Sequence, residues 1–343
     1  MVSPSAMPDL PSFLRRLQPE RVAVFRTLQL GDMLCAVPAL RALRHALPNA
    51  RLTLIGLPWA RDFTRRFAHY VDGFFPFPGF PGLPEQVPDV RAWPAFLRKV
   101  QGSRFDLAIQ MHGDGSMTDA IVRLLGARSC AGFAPGPTDD PLLLPYPREG
   151  SEVRRLLSLA EFLGAEVADE RLEFPLDEAD DAEWDGYPEV RSLPPGGYLC
   201  VHAGARANER RWPVEHFAVV ADALAKDSGL PVVLSGSEQE LPLTRQLAQA
   251  MQVPVVQAAA PVSFGALAAL IGRSRLLVSN DTGTSHIAAA LRVPSVVVFR
   301  ASEMERWAPL DQQRHRAVWD PDGTRVDEVL RQARRLLRRP LTL

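Results

Sequence analysis

The chain is short of cysteine, of long apolar runs and of charge of either sign in excess, and each shortage removes a class of protein. Its three cysteines, Cys35, Cys130 and Cys200, are widely spaced and form no C-x-x-C pair. Neither a disulfide framework nor a zinc site is expected, and a reducing compartment fits. No segment reaches the ~18 to 20 uninterrupted apolar residues of a membrane span, and the opening "MVSPSAMPDLPSFLRRLQPE" lacks the apolar centre of a signal peptide. A cytoplasmic protein is expected. Lys and Arg number 39 against 40 Asp and Glu, so the net charge of −1 gives no support for a nucleic-acid partner. Walker A and G-x-G-x-x-G sequences are missing too, which disfavours a P-loop nucleotidase or a standard dehydrogenase.

What is present is the composition of a soluble globular protein, 46% hydrophobic and 23% charged. At 343 residues the chain exceeds the ~250–300 at which one core usually splits, so two domains are expected. The 31 prolines gather in "FPFPGFPGLPEQVP" and "APGPTDDPLLLPYP", which read as loops.

Strand and helix signals alternate throughout. "RVAVFRT", "RLTLIG" and "RFDLAIQM" are strands, and "MLCAVPALRALRHAL" is a helix that either begins near Pro38 or bends there. "SEVRRLLSLAEFLG" is a helix closing the first half at Gly164. The acidic stretch after it carries the domain junction. The second half repeats the rhythm with "YLCVHAG", "PVVLSG", "VPVVQA", "RLLVSN" and "SVVVF" as strands. Two doubly wound α/β domains are predicted, over 1–180 and 181–322. The amphipathic, basic helix of 323–343 is expected to pack on a domain surface, with peripheral membrane contact its alternative role.

In open α/β sheets ligands bind at the carboxyl ends of the strands, so the loops there are the candidate site. "RTLQLGD" ends at Asp32. "HAGARANERRWP" offers Gly204, Arg206, Arg210 and Arg211, then Pro213 to start a helix, and guanidinium forks suit phosphate oxygens. Glu238 of "SGSEQE" suits a ribose diol or simply a solvated helix start. In "VSNDTGTSH" a helix begins at a strand end, with Asp281 able to cap it and His286 on its first turn, which is an anion site in form.

These loops carry a resemblance. "R-x-x-x-x-GD…PALRALR", "HAGA…RRWP-x-E-x-F" and "SNDTG-x-SH-x-AAAL-x-VP…RW-x-P", in that order over roughly residues 21–310, resemble glycosyltransferase family 9, the ADP-heptose:lipopolysaccharide heptosyltransferases. The resemblance implies a GT-B fold: two Rossmann-like domains with parallel sheets facing a cleft, the C-terminal one holding the nucleotide sugar and the N-terminal one the acceptor. It also implies inverting chemistry without a metal or other cofactor. Asp32 falls on the acidic position proposed as general base. Arg210 stands where the family usually has a donor-phosphate lysine, Glu238 on a ribose-binding glutamate, and Asp281, Thr282, Gly283, Ser285 and His286 on the diphosphate loop. The implied substrates are ADP-heptose and a glycan or lipid-linked glycan acceptor. Departures are Thr27 and Leu28 in place of serines, and Arg300-Ala301-Ser302 in place of glycine-proline-threonine. Arg300 is read as an exposed loop arginine, or as a further phosphate contact. A related nucleotide-sugar enzyme of epimerase type, or a non-catalytic nucleotide-sugar binder, are the other readings.

Overall fold

The computed structural model describes residues 13–339. The first twelve residues of the opening segment and the last four of the 323–343 region lie outside the described residues. The chain divides into two compact units between Arg171 and Leu172, inside the acidic stretch. That stretch is not featureless: Glu178–Ala182 and Pro188–Arg191 are short helices, and buried Trp184 donates its indole N–H to Ala266 O at 2.8 Å within the second unit.

The first unit is built on β1 (Arg21–Phe25), β2 (Arg51–Gly56), β3 (Gly73–Pro76), β4 (Leu107–Gln110), β5 (Ser129–Ala134) and β6 (Leu143–Pro145), all parallel, in the order β3-β2-β1-β4-β5-β6. The second uses β7 (Leu199–His202), β8 (Val232–Gly236), β9 (Val255–Ala259), β10 (Leu276–Asn280), β11 (Ser295–Phe299) and β12 (His315–Trp319), in the order β12-β11-β10-β7-β8-β9. Counted from its own first strand, each sheet has the same order, that of a doubly wound nucleotide-binding fold. The central strands are apolar runs buried along their whole length, as parallel strands covered on both faces must be. In the second unit Val201, Leu234, Val278 and Val298 pack with Phe217 and Leu224 of the helix Val214–Ser228 and with Val329, Ala333 and Leu336 of the helix Val326–Leu337. Phe25, Ile55, Phe77, Phe96 and Ala108 form the corresponding layer in the first.

Some expectations are corrected. β3 and β6 lie in proline-rich stretches read as loops. Both are edge strands, and their prolines, Pro76 and Pro145, sit where no further strand needs an N–H. The helix at Pro38 does not begin there: it runs from Leu30 to Ala46, with Pro38 buried inside it. It packs along the helix Glu152–Phe162, and that packing outweighs the ~3 kcal/mol a mid-helix proline costs. Cys35, Cys130 and Cys200 are free thiols. Among the described residues no helix is long and apolar enough to cross a membrane.

Candidate functional site

Each sheet reverses its strand order beside its first strand, between β1 and β4 and between β7 and β10, which is where ligands bind in open α/β sheets. The sequence-predicted residues lie on these loops and on the turn after β8.

In the first unit Phe25 is in register with Gln110, so Arg26 and Met111 leave the sheet together. Arg26 is almost wholly buried and its guanidinium is fully used. Nε and Nη2 donate to Asp32 O at 3.1 and 2.8 Å, Nη1 to Met111 O at 2.5 Å, and Nη2 to Glu152 Oε1 at 3.1 Å. Asp32 is half-buried in the first turn of the helix Leu30–Ala46, where the helix dipole favours a carboxylate. It is not the N-cap: Gln29 holds that position. Beside it, His112 accepts at Nδ1 from the backbone N–H of Thr27 at 3.4 Å, and Thr27 Oγ1 lies 2.9 Å from the same nitrogen. These bonds assign the proton to Nε2. Burial, then the Arg26 charge, lowers the His112 pKa to about 4 against some pull from Glu152, so the ring is neutral at pH 7.

The loop carrying His112 is rigidly backed. A side chain at Gly115, whose φ is +87°, would stand 2.1 Å from Phe133 O. Gln110 donates to Thr118 Oγ1 at 2.5 Å and accepts from Phe133 N at 3.1 Å.

In the second unit Asn280, fully buried at the end of β10, ties three backbone groups of the opposite loop. Its Nδ2 donates to Ala203 O at 2.8 Å and Gly204 O at 3.3 Å, and its Oδ1 accepts from Trp212 N at 2.9 Å. Trp212 is held in turn through Nε1 to Asp320 Oδ2 at 2.7 Å. Two of the arginines prove to be braces. Arg211 Nε donates to Ala205 O at 2.9 Å, and Arg300, partly buried rather than exposed, donates to Arg211 O at 2.9 Å and Pro321 O at 2.7 Å. Arg206 and Arg210 are exposed, and Arg210 Nη1 lies 3.9 Å from Asp281 Oδ2.

Asp281 is buried and does not cap the helix Gly283–Ala290: Thr282 does, its Oγ1 accepting from Thr284 N at 3.3 Å. Ser285 is wholly buried and gives its hydroxyl to Thr282 O at 2.7 Å. His286 is buried with its ring edge-on to Trp307, centroids 6.3 Å apart. After β8, Glu238 is exposed, while Glu240 turns inward, accepting from Ser237 N at 2.8 Å and lying 4.0 Å from His202 Nε2. Gly204 leaves room for this carboxylate: a Cβ there would fall 1.8 Å from Glu240 Oε1 and displace the side chain. Burial holds His202 below the ordinary histidine range, and the Glu240 carboxylate opposes that only in part.

The fold thus gathers Gly204, Arg210, Asp281, Thr282, Gly283, Ser285 and His286 at the carboxyl ends of β7 and β10, with Glu238 on the neighbouring turn. Asp32 lies on the first unit. Sequence reasoning quoted Arg26, His202 and Asn280 within the family motifs but gave them no role, and singled out none of His112, Glu152 and Glu240. The signal available for Arg26 and Asn280 was a polar residue directly closing an apolar strand.

Two consequences can be measured. Asn280→Asp turns a donor facing Ala203 O and Gly204 O into an acceptor, so it is expected to cost at least ~2 kcal/mol of unfolding free energy by urea denaturation. A loss below ~0.5 kcal/mol would remove Asn280 as the tie. The second concerns pH. His112 titrates at about 4 in the fold and near ~6.5 unfolded, so the unfolded chain binds more protons between those values and stability falls as pH drops through them. Going from about pH 7 to about pH 5, His112 alone is expected to cost ~2 kcal/mol. His315, which burial also lowers to about 4, adds a similar loss. His112→Gln should therefore remove roughly 2 kcal/mol of the pH-dependent loss, to which buried His202 also contributes, and an unchanged slope would refute the assignment.

Comparison with known proteins follows the same lines. The model of "Glycosyltransferase family 9 (heptosyltransferase)" matches residues 93–324. Lipopolysaccharide heptosyltransferase 3 of Escherichia coli is 33% identical over 114 residues, a match covering 33% of this chain and about a third, 34%, of that protein. Lipopolysaccharide heptosyltransferase 1 of Escherichia coli K12 is 24% identical over 297 residues, covering 81% of this chain and 87% of the relative. A crystal structure of a family 9 glycosyl transferase from Veillonella parvula superposes with a TM-score of 0.78 at 21% identity, covering 93% of this chain and 97% of that one, and so shares the GT-B fold. With the family model spanning more than half of the sequence, the chain belongs to glycosyltransferase family 9, the heptosyltransferases.

Proposed function

We propose that this enzyme transfers a sugar, heptose from ADP-heptose, with inversion onto a lipopolysaccharide core or another glycan acceptor, and that it needs no divalent ion. The observation that carries the donor side is the meeting of Arg210, the N-terminus of the helix Gly283–Ala290 and buried His286 at the carboxyl ends of β7 and β10. Together they supply positive potential and backbone N–H groups for a diphosphate. We assign Asp281 to orienting Arg210, Glu238 to the ribose diol, and Gly204, Thr282 and Ser285 to the shape of the loops. The departing nucleoside diphosphate is stabilised by the fixed charges, as an oxyanion is elsewhere.

On the acceptor side, Asp32 takes the proton of the attacking hydroxyl. Its backbone is fixed by Arg26, and its place in a helical first turn keeps a carboxylate favourable. The enzyme works on the cytoplasmic side of the membrane, its basic terminal helix packed on the second unit.

Product formation from ADP-heptose and a core-oligosaccharide acceptor tests the proposal. Hydrolysis or epimerisation of the donor without transfer would overturn it, as would tight donor binding with no turnover. Asp32→Asn is expected to lower kcat by at least about a hundredfold with donor affinity nearly unchanged. Arg210→Ala should weaken ADP and intact donor by roughly tenfold or more while leaving adenosine binding unaltered, since only the diphosphate loses a partner. Equal loss for adenosine would point to a damaged loop instead. Transfer should persist in excess EDTA; activity abolished by chelation and restored by magnesium would sink the metal-independent mechanism.

A further inference from the structure

The second sheet has another charged feature, at the end opposite the donor loops. Arg275 and Arg314 immediately precede β10 and β12, and Arg292 lies just before β11. Because these strands are parallel, all three residues stand at the amino ends. With Arg339, Asp311 and Gln313 they line a cavity of about 280 Å³. Asp311 is the one carboxylate among its lining residues, and it already faces Arg314 at 3.6 Å.

The cavity has fixed walls. Arg275 donates to Leu337 O at 2.7 Å and Arg339 O at 2.5 Å, closing the end of the helix Val326–Leu337. Arg339 Nη1 donates to Gln313 O at 2.7 Å. Next to it Arg316 is crowded: burial and the charges of Arg335 and Arg339 lower its pKa, and its buried Nε has no hydrogen-bond partner. Like charges held this close destabilise one another unless an anion joins them. The volume lies at the small end of ligand sites, so it suits one phosphate group with a small substituent better than a nucleotide.

We propose that this cavity, at the amino ends of β10, β11 and β12, binds a phosphate group, carried either by free phosphate and small phosphomonoesters or by a lipid headgroup. It is separate from the loops assigned to the donor and does not depend on that assignment. Arg292 and Arg339 are exposed enough to be changed without opening the core, and Arg292, with φ +58°, is best replaced by asparagine, which tolerates that backbone.

Calorimetric titration of the full chain with inorganic phosphate at constant ionic strength is the test. Titrated with ADP present to occupy the donor loops, wild type should bind, and Arg292→Asn and Arg339→Ala should each bind at least about tenfold more weakly. Absence of phosphate binding by wild type would overturn the proposal. So would binding that neither cavity variant alters. Flotation with phosphatidylglycerol vesicles, against phosphatidylcholine as control, separates the two sources. Flotation lost in Arg292→Asn assigns the phosphate to a headgroup, and phosphate binding without flotation assigns it to a free anion.

Discussion

In each unit one buried polar side chain, at the point where strand order reverses, ties together the two loops that leave the sheet there. Asn280 does this in the second unit and Arg26 in the first. Parallel strands that part at a reversal leave their following backbone without a neighbour, and buried N–H and C=O groups without partners are costly. An amide suits the second unit, where two carbonyls and one N–H must be served at once. A guanidinium suits the first, where the opposing groups are carbonyls. Arg26 carries a charge into the interior, which Glu152 must neutralise from another helix. Such a pair contributes little net stability, but removal of one member leaves the other buried and unpaired. The constraint therefore fixes the loops rather than strengthening the fold.

Fixing the loops decides which side chains remain available. Once Arg211 and Arg300 are spent on carbonyls and Glu240 on Ser237, the exposed cations on the β7 loop are Arg206 and Arg210. The same logic leaves His112 with a defined tautomer, because Thr27 occupies Nδ1 and burial keeps the ring neutral. A polar group whose proton position is set by its neighbours can take part in recognition without reorganising when a ligand arrives.

Much of this was legible in the sequence because parallel strands are continuous apolar runs and the helices between them carry regular periodicity. Thus β1, β2, β4 and β7 to β11 could be read directly, and with them the loops that bear Asp32, Arg210 and Asp281. The edge strands β3, β6 and β12 were not read, nor was the inner strand β5, whose "SCAGFA" lacks a run of large apolar residues. Edge positions tolerate proline and partial exposure, so "GFFP" and "LLP" look like loop, and "HRAVW" shows no clear alternation. Within the loops residue type was legible but orientation was not. Arg210 and Arg211 are adjacent and chemically equal, yet one faces solvent beside Asp281 and the other holds Ala205 O. Glu238 and Glu240 divide in the same way across a single turn. Which member of such a pair points inward depends on backbone contacts made far along the chain, as Gly204 against Glu240 illustrates.

The contact between Arg210 and Asp281 bears on how a diphosphate would be admitted. The two atoms are 3.9 Å apart and the arginine is 44% exposed while the aspartate is 4% exposed. With the guanidinium largely in solvent and the two atoms beyond hydrogen-bond length, the contact does not lock the arginine. Asp281 therefore keeps Arg210 near the N-terminus of the helix Gly283–Ala290 without competing strongly for it. A ligand with two phosphates offers shorter, bidentate bonds and the helix N–H groups besides, so the guanidinium gains by moving to it. The buried aspartate cannot follow, because its N–H is bound to Val298 O and its side chain is enclosed. Its negative charge next to an incoming diphosphate must then be offset by the helix dipole and by Arg210 itself. In the proposed reaction such an arrangement would limit how tightly the diphosphate is held and so favour release of the product.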